Sequence, residues 1–246
     1  MARPKRPPWQ VEQTKNKIFQ ATLELFNRQG YEAVTIRKIA RRAGCSPATI
    51  YNYYSDKDAL YLDILTEGFA ILYQLLQAEP RSRDPLVRLR AYTAVFYRFS
   101  LDHPYYYDIM FSFHVPKYLD YAGTPAEETA FAEKEVALKN IGLILEAMAD
   151  FYRGCPALRS APGMVTGRAL TLLGTCHGII SLHRSGIWAE LETDFSALYF
   201  SAVDDYLQKL TREKEELLAG EVRLRAARQQ PTGEEYSSRR SFWKKR

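Results

Sequence analysis

Apolar positions recur at helical spacing along most of the chain. Ile18, Ala21, Thr22, Leu25 and Phe26 fall at i, i+3, i+4, i+7 and i+8, one face of a helix, and Gly30 supplies a stop. Ile36, Ile39, Ala40 and Ala43 repeat the pattern over two turns before Gly44. Leu89, Tyr92, Phe96 and Phe99 form a stripe ahead of His103-Pro104, and Val136, Asn140, Leu143, Ile144, Ala147 and Phe151 form another ahead of Gly154. Val165, Ala169, Leu172, Leu173, Cys176, Ile179, Ile180 and His183 make a broad face closed by Gly186. Phe195, Leu198, Tyr199, Ala202, Val203, Tyr206, Leu207 and Leu210 make the last. The run Ile109 to Val115 has the length of a strand, but its neighbours are helical, and the prolines fall mostly between the periodic stretches. The pattern predicts an all-α chain of about nine helices with no sheet.

One stretch carries more than periodicity. Thr35 stands where it can cap a short helix, and Gly44 can take the left-handed conformation needed to leave it. Ser46 can cap a second short helix, with Pro47 at its first position, where a missing N–H costs nothing. Helix, glycine turn and helix make a helix-turn-helix, whose second helix is short enough to lie in a DNA major groove. Ser55-x-x-Asp58 reads as a capping box for the next helix. Lys57 in its first turn is unfavourable for the helix dipole unless an anion such as a phosphate sits there.

Charge divides the chain in a way that fits this motif. Residues 1–57 hold 11 Lys+Arg against 4 Asp+Glu, net +7; residues 58–220 hold 15 against 22, net −7; residues 221–246 hold 8 against 3, net +5. A basic head attracts polyanions through counterion release, and an acidic body does not. Arg3, Lys5 and Arg6 are either an arm over DNA or a solvated terminus. The polar tail from about Arg228 is expected to be disordered.

Composition excludes several classes. With 246 residues, 46% hydrophobic and 26% charged, the chain can bury a core and is not wholly disordered. No run of about 18 apolar residues stands out as a membrane span; Ala169 to Leu182 is the longest candidate and carries His177. No apolar leader opens the chain, so a cytoplasmic location is expected. Cys45, Cys155 and Cys176 are odd in number, widely spaced and read as reduced thiols. No GxSxG, HExxH or phosphate-cradling loop is present, and the histidines are not spaced as ligands, so no catalytic residue, metal or cofactor is assigned.

Residues 12–60 resemble the DNA-binding domain of TetR-family transcriptional regulators. The resemblance rests on the ordered string Leu25-Phe26, Gly30-Tyr31, Thr35-Ile36, Ile39-Ala40, Ala43-Gly44, Ser46, Thr49-Ile50-Tyr51, Tyr53-Tyr54, Lys57 and Leu60. Family members often carry Val in place of Cys45 and Phe in place of Tyr54, departures that leave the chemistry untouched. The resemblance implies that Thr35 and Arg37 meet phosphates and that Pro47, Ala48 and Thr49, following the cap Ser46, face bases. It places Tyr51 and Asn52 near the DNA backbone, Tyr53 in packing or phosphate contact, and Lys57 on a phosphate. The Thr49 hydroxyl and methyl suit a base edge or a thymine methyl.

The same resemblance implies a three-helix head at 10–57, a helical effector-binding and dimerisation body at 58–220, and a basic tail at 221–246. The dimer would form through helices near 163–184 and 193–219. Its partners would be a pseudo-palindromic double-stranded operator, a second copy and a small-molecule effector, with no membrane. Residues 92–121 are dense in aromatics, which fill cores by default and line apolar pockets in some proteins. Phe96, Tyr107, Phe111 and His177 are the candidate ligand residues; the acidic body disfavours a strongly anionic ligand unless a cation is aimed at it, and Arg88, Arg90 and Arg98 are either such cations or solvated side chains. The expected function is a repressor released by a small, partly apolar ligand. The alternative is a DNA-binding protein that marks chromosomal sites and contacts a protein partner without an effector.

Overall fold

The computed structural model describes residues 7–112, 115–155, 163–186, 190 and 194–229, apart from the side chains of residues 112 and 221–229. Among them lie nine α-helices and no strand: α1 (Pro8–Ala33), α2 (Ile36–Ala43), α3 (Pro47–Tyr51), α4 (Lys57–Ala78), α5 (Pro85–Asp102), α6 (Pro104–Tyr107), α7 (Glu127–Phe151), α8 (Met164–Arg184) and α9 (Phe195–Gln229). A π-helical turn, Asp108–Ser112, continues α6, and a short 3-10 helix, Tyr118–Tyr121, precedes α7.

The stripe on α1 is buried as its spacing requires, with Ile18 and Phe26 almost fully covered. Gly30, with φ 75°, breaks the helical path, and one further turn carries the chain to Ala33. Tyr31 in that turn stacks near Phe26 (5.5 Å between ring centres). Tyr61 of α4 closes the group edge-on, 5.9 Å from Phe26 and 5.0 Å from Tyr31. Each such aromatic side chain stabilises by roughly 1.5–3 kcal/mol through burial. α4 therefore begins inside the head; the division at 57/58 falls in its first turn.

The rest of α4 packs along α7. Asn140 reaches across, its amide donating to the Phe69 carbonyl (3.1 Å). Because α4 is covered by the head at one end and α7 along its side, its apolar residues (Leu60, Leu62, Ile64, Leu65, Leu72) point in several directions. Among the described residues it, rather than Ala169 to Leu182, is the helix long and apolar enough to cross a bilayer, by length and composition only. Burial against the head and α7 accounts for part of that composition.

The run Ile109 to Val115 is not a strand over its described part. Its first residues form the π turn, which buries Ile109 and Met110 in succession, where a strand would alternate. Phe113 and His114 lie outside the described residues, as do Arg3, Lys5, Arg6 and the tail from residue 230. The approach of this turn to α4 depends on Gly68: a Cβ there would stand 2.7 Å from Met110 Sδ and 2.9 Å from Tyr106 Cδ1.

α5 is enclosed by α7, α8 and α9. The Tyr199 hydroxyl of α9 donates to the Thr93 carbonyl (2.8 Å) in a buried setting. α8 and α9 are joined by Arg168–Glu213 (2.9 Å) and by the Tyr206 hydroxyl on the Arg168 carbonyl (3.0 Å). α9 runs to Gln229, beyond the expected end near 219 and into the segment assigned to the tail.

Candidate nucleic-acid interface and effector cluster

The helix-turn-helix is built by the local signals its sequence carries. The Thr35 hydroxyl accepts from the Lys38 N–H (3.3 Å) and starts α2. Gly44, at φ 68° and ψ 35°, ends it in the left-handed region, and the Cys45 N–H returns to the Ala40 carbonyl (3.0 Å). Ser46 Oγ accepts from the Thr49 N–H (3.2 Å), and Pro47 begins α3. Ile50, fully buried, anchors α3 to the head. The next start differs from the expected box. Asp56, not Ser55, caps α4 by accepting from the Ala59 N–H (2.8 Å), while Ser55 Oγ donates to Asp56 (3.0 Å).

With Ile50 turned inward, the exposed residues of α3 and its two flanks are Ser46, Pro47, Ala48, Tyr51 and Asn52, and Thr49 is half-buried. The Ser46 and Thr49 hydroxyls lie 3.0 Å apart. Thr35 and Arg37 are exposed at the start of α2. Tyr53 packs against the core, with Lys15 Nζ 5.9 Å from its ring centre. Tyr54 donates to Asp63 (2.9 Å).

The head's cations divide into committed and uncommitted groups. Lys38 Nζ donates to Gln29 Oε1 (2.8 Å) and the Ala33 carbonyl (2.7 Å), and Arg42 Nε donates to Glu24 (2.8 Å). Arg37 and Arg41 make no ion pair among the described residues. Arg41 was not among the residues singled out by sequence, although its place in the last turn of α2 is visible there. Lys57 turns back toward α1: its ammonium donates to the Tyr31 carbonyl (3.1 Å) and lies 3.8 Å from that ring's centre.

In the body, the four candidate ligand residues come together from α5, α6, the π turn and α8. Phe96 of α5 lies 5.6 Å from Tyr107 and 5.3 Å from Phe111, and Tyr107 and Phe111 are 5.1 Å apart. His177 of α8 stacks on Tyr107 at 5.9 Å, and its Nδ1 is 2.7 Å from the Tyr107 hydroxyl. Burial lowers the His177 pKa below its ordinary value of 6.5, so the ring is held neutral. Burial raises the Tyr107 hydroxyl. Beside the cluster, Phe96 also borders a narrow apolar crevice of only about 20 Å³ with Tyr92, Thr93, Ile144, Leu172 and Cys176.

The three arginines that an anionic ligand could have met are paired with carboxylates. Arg88 pairs with Asp150, Arg90 with Asp204 (2.8 Å) and Arg98 with Glu79 (2.6 Å). Each finds a carboxylate across a helix contact, although Arg88 Nε stays buried without a partner. The cation that does reach the cluster is Arg184, 5.7 Å from the Tyr107 ring, and it donates to Asp108 through Nε (2.6 Å). Its distance of 77 residues from Tyr107 in sequence concealed it.

α6 links these two regions. On one side Asn27 of α1 donates to the Tyr105 carbonyl (3.3 Å), and Phe19 lies 6.4 Å from Tyr106. On the other side Tyr107 and Phe111 enter the aromatic cluster. Arg184 ties the same segment to the end of α8. Among the described residues no group of three His, Cys, Asp or Glu is placed to hold a metal ion.

Two family models match the chain. That of bacterial regulatory proteins of the tetR family covers residues 18–64, and that of the tetracyclin repressor-like C-terminal domain covers residues 89–206. The HTH-type transcriptional regulator HbdR of Aromatoleum sp. (strain CIB) is 45% identical over 51 residues, 21% of this chain and 22% of that protein. The HTH-type transcriptional repressor KstR of Rhodococcus jostii (strain RHA1) is 33% identical over 79 residues, 32% of this chain and 37% of that protein. The chain thus matches less than half the length of these curated relatives. A TetR-family transcriptional regulator from Bordetella parapertussis 12822 superposes with a TM-score of 0.59 at 20% identity, covering 80% of this chain and 95% of that one, a likeness of fold. Head and body are matched separately, in the same order and by models of one kind, and the helix-turn-helix has the capped geometry described above: the chain belongs to the tetR family of bacterial regulatory proteins.

Proposed function

We propose that the protein is a homodimeric, cytoplasmic, non-enzymatic regulator of transcription that binds a pseudo-palindromic DNA operator and leaves it when a small, partly apolar ligand binds the body. The observation that carries the DNA-binding part is the exposed face of α3. Ser46 and Ile50 hold the helix, while Pro47, Ala48, Tyr51 and Asn52 remain free beside the uncommitted Arg37 and Arg41. In this reading α3 enters the major groove, with Pro47, Ala48 and Thr49 toward bases and Tyr51, Asn52 and Tyr53 toward the backbone. Thr35, Arg37 and Lys57 meet phosphates. One of the three Lys57 donors goes to Tyr31, which leaves two for an anion.

Dimerisation through α8 and α9 is supported by what those helices leave uncovered. Leu170 and Leu182 of α8 and Leu218 of α9 are exposed, and Gly167, Gly174 and Gly178 have open space where a side chain would project. A second copy packed there brings two recognition helices to half-sites about 34–36 Å apart or a multiple of that distance.

Release needs a ligand that distinguishes two states of the dimer, and the α6 segment is placed to carry the difference. A ligand between Phe96, Phe111 and His177 displaces Tyr107, and α6 moves against Asn27 and Phe19 of the head. To empty an occupied operator, the ligand must prefer the released state by about 10⁴-fold, or roughly 5.5 kcal/mol. The repressor named among the relatives supports this sign of regulation. The test is selection of bound duplexes from a random pool by the full-length protein, repeated with metabolites present. Enrichment of one palindromic site, lost with a particular compound, is the expected result; retention of arbitrary duplexes overturns the reading.

A further inference from the structure

A half-open pocket lies outside the aromatic cluster, between α4, the 3-10 helix and α7. Leu62, Leu65, Phe69, Met110 and Leu138 contribute to its apolar wall, and its volume is about 220 Å³. It also contains Glu133, which is only 8% exposed. This carboxyl makes no hydrogen bond or ion pair among the described residues; the nearest help is the field of Lys117. The Tyr121 hydroxyl in the same lining, and that of Tyr61 within electrostatic reach of Glu133, are buried without partners.

The Glu133 oxygens keep some contact with the space of the pocket, and a carboxylate on so covered a residue is poorly hydrated, which is costly unless a cation or a donor meets it. Nothing in the fold of α7 requires one: an apolar residue at 133 would complete the wall. The cations at the rim do not satisfy it. The Lys134 ammonium rests over the Tyr118 ring at 4.3 Å, and Lys117 is exposed.

We propose that this cavity binds a small lipophilic cation, an amine with an apolar body, with Glu133 as its counter-ion. The ammonium pairs with the carboxylate, and Phe69 and the leucines take the apolar body. A neutral apolar ligand leaves Glu133 unpaired, and an anion meets it with like charge. The cavity touches the aromatic cluster through Phe69, 6.0 Å from Phe111, and through Met110 on the π turn, so occupancy is felt at α6.

The test uses the full-length protein without DNA, which separates its outcome from that of the operator reading. Three probes of one size are titrated calorimetrically: 4-phenylbutylamine, 4-phenylbutanol and 4-phenylbutyrate. The amine is expected to bind at least tenfold more tightly than the alcohol, and the butyrate most weakly. Glu133→Gln should remove the amine's advantage while leaving the alcohol's affinity unchanged. Ala137→Phe, which fills the cavity from α7, should abolish binding of all three. Equal binding of amine and alcohol, strongest binding of the butyrate, no binding of the amine at millimolar concentration, or an unaltered amine affinity in a folded Glu133→Gln variant would each overturn the proposal. The comparison of the three probes on the unmodified protein stands even if a variant does not fold.

Discussion

The Tyr107 hydroxyl stands 2.7 Å from Nδ1 of His177, and this contact joins the segment that touches the head to the long helix α8. With its proton on Nε2, the neutral imidazole accepts from the tyrosine. The pair is partly buried, flanked by Phe96, Phe111 and Arg184, so neither group has water as a ready substitute.

Tyr107→Phe removes the hydroxyl and keeps the ring. Thermal unfolding should show a loss of about 0.5–1.5 kcal/mol, the usual net worth of such a bond. Because burial depresses His177 in the folded state, the unfolded chain takes up the proton first as pH falls. Stability therefore rises with pH through the region below 6.5 and is lost on acidification. His177→Gln should flatten that slope between pH 5 and 7; an unchanged slope would show that another group sets it.

Glu133 acts in the opposite sense. Burial raises its pKa above the ordinary 4.5, so the folded state holds its proton longer than the unfolded chain does. Its contribution to stability is greatest in acid and falls as pH rises above 4.5. Glu133→Gln should therefore raise the melting temperature at neutral pH relative to the unmodified protein, with little difference at pH 4.

The turn between α2 and α3 depends on a cap and a left-handed glycine. Ser46→Ala should cost about 1 kcal/mol. Gly44→Ala should cost roughly 1–2 kcal/mol, because its backbone lies where a Cβ meets the following carbonyl. Both changes should weaken operator binding without altering which bases are preferred, which a footprint on a selected site would report.

Lys57 has two jobs to separate. Lys57→Ala should reduce the dependence of DNA affinity on salt by about one ion per site. It should also lower the melting temperature, through loss of the contact with Tyr31. Arg37→Ala should change the salt dependence with little effect on stability. A Lys57→Ala protein with unchanged salt dependence assigns this lysine to the Tyr31 contact alone.

Gly68 is the point where α4 and the π turn come closest. Gly68→Ala places a methyl against Met110 and Tyr106 and should destabilise by about 1–3 kcal/mol, as overpacking does. If α6 transmits the ligand signal, the same variant should alter ligand-dependent release more than it alters operator affinity. Equal effects on both would place the signal elsewhere.

The stripes on α1, α2, α5, α7, α8 and α9 and the caps at Thr35 and Ser46 were legible in the sequence, because helices and caps are set by residues three or four apart. The helix-turn-helix is local in the same sense, so its exposed residues could be named before the fold was known. α4 showed no single stripe because it is buried on several sides, by Tyr31 and Phe26 at its start and by α7 along its length. Chain separation hid the rest: Arg184 beside Tyr107, the carboxylates that occupy Arg88, Arg90 and Arg98, and the unpaired Glu133 facing Tyr118 and Tyr121. Which charge finds a partner, and which is left waiting for one, is decided by packing between elements; periodicity reports only the face a residue occupies, not the group that meets it.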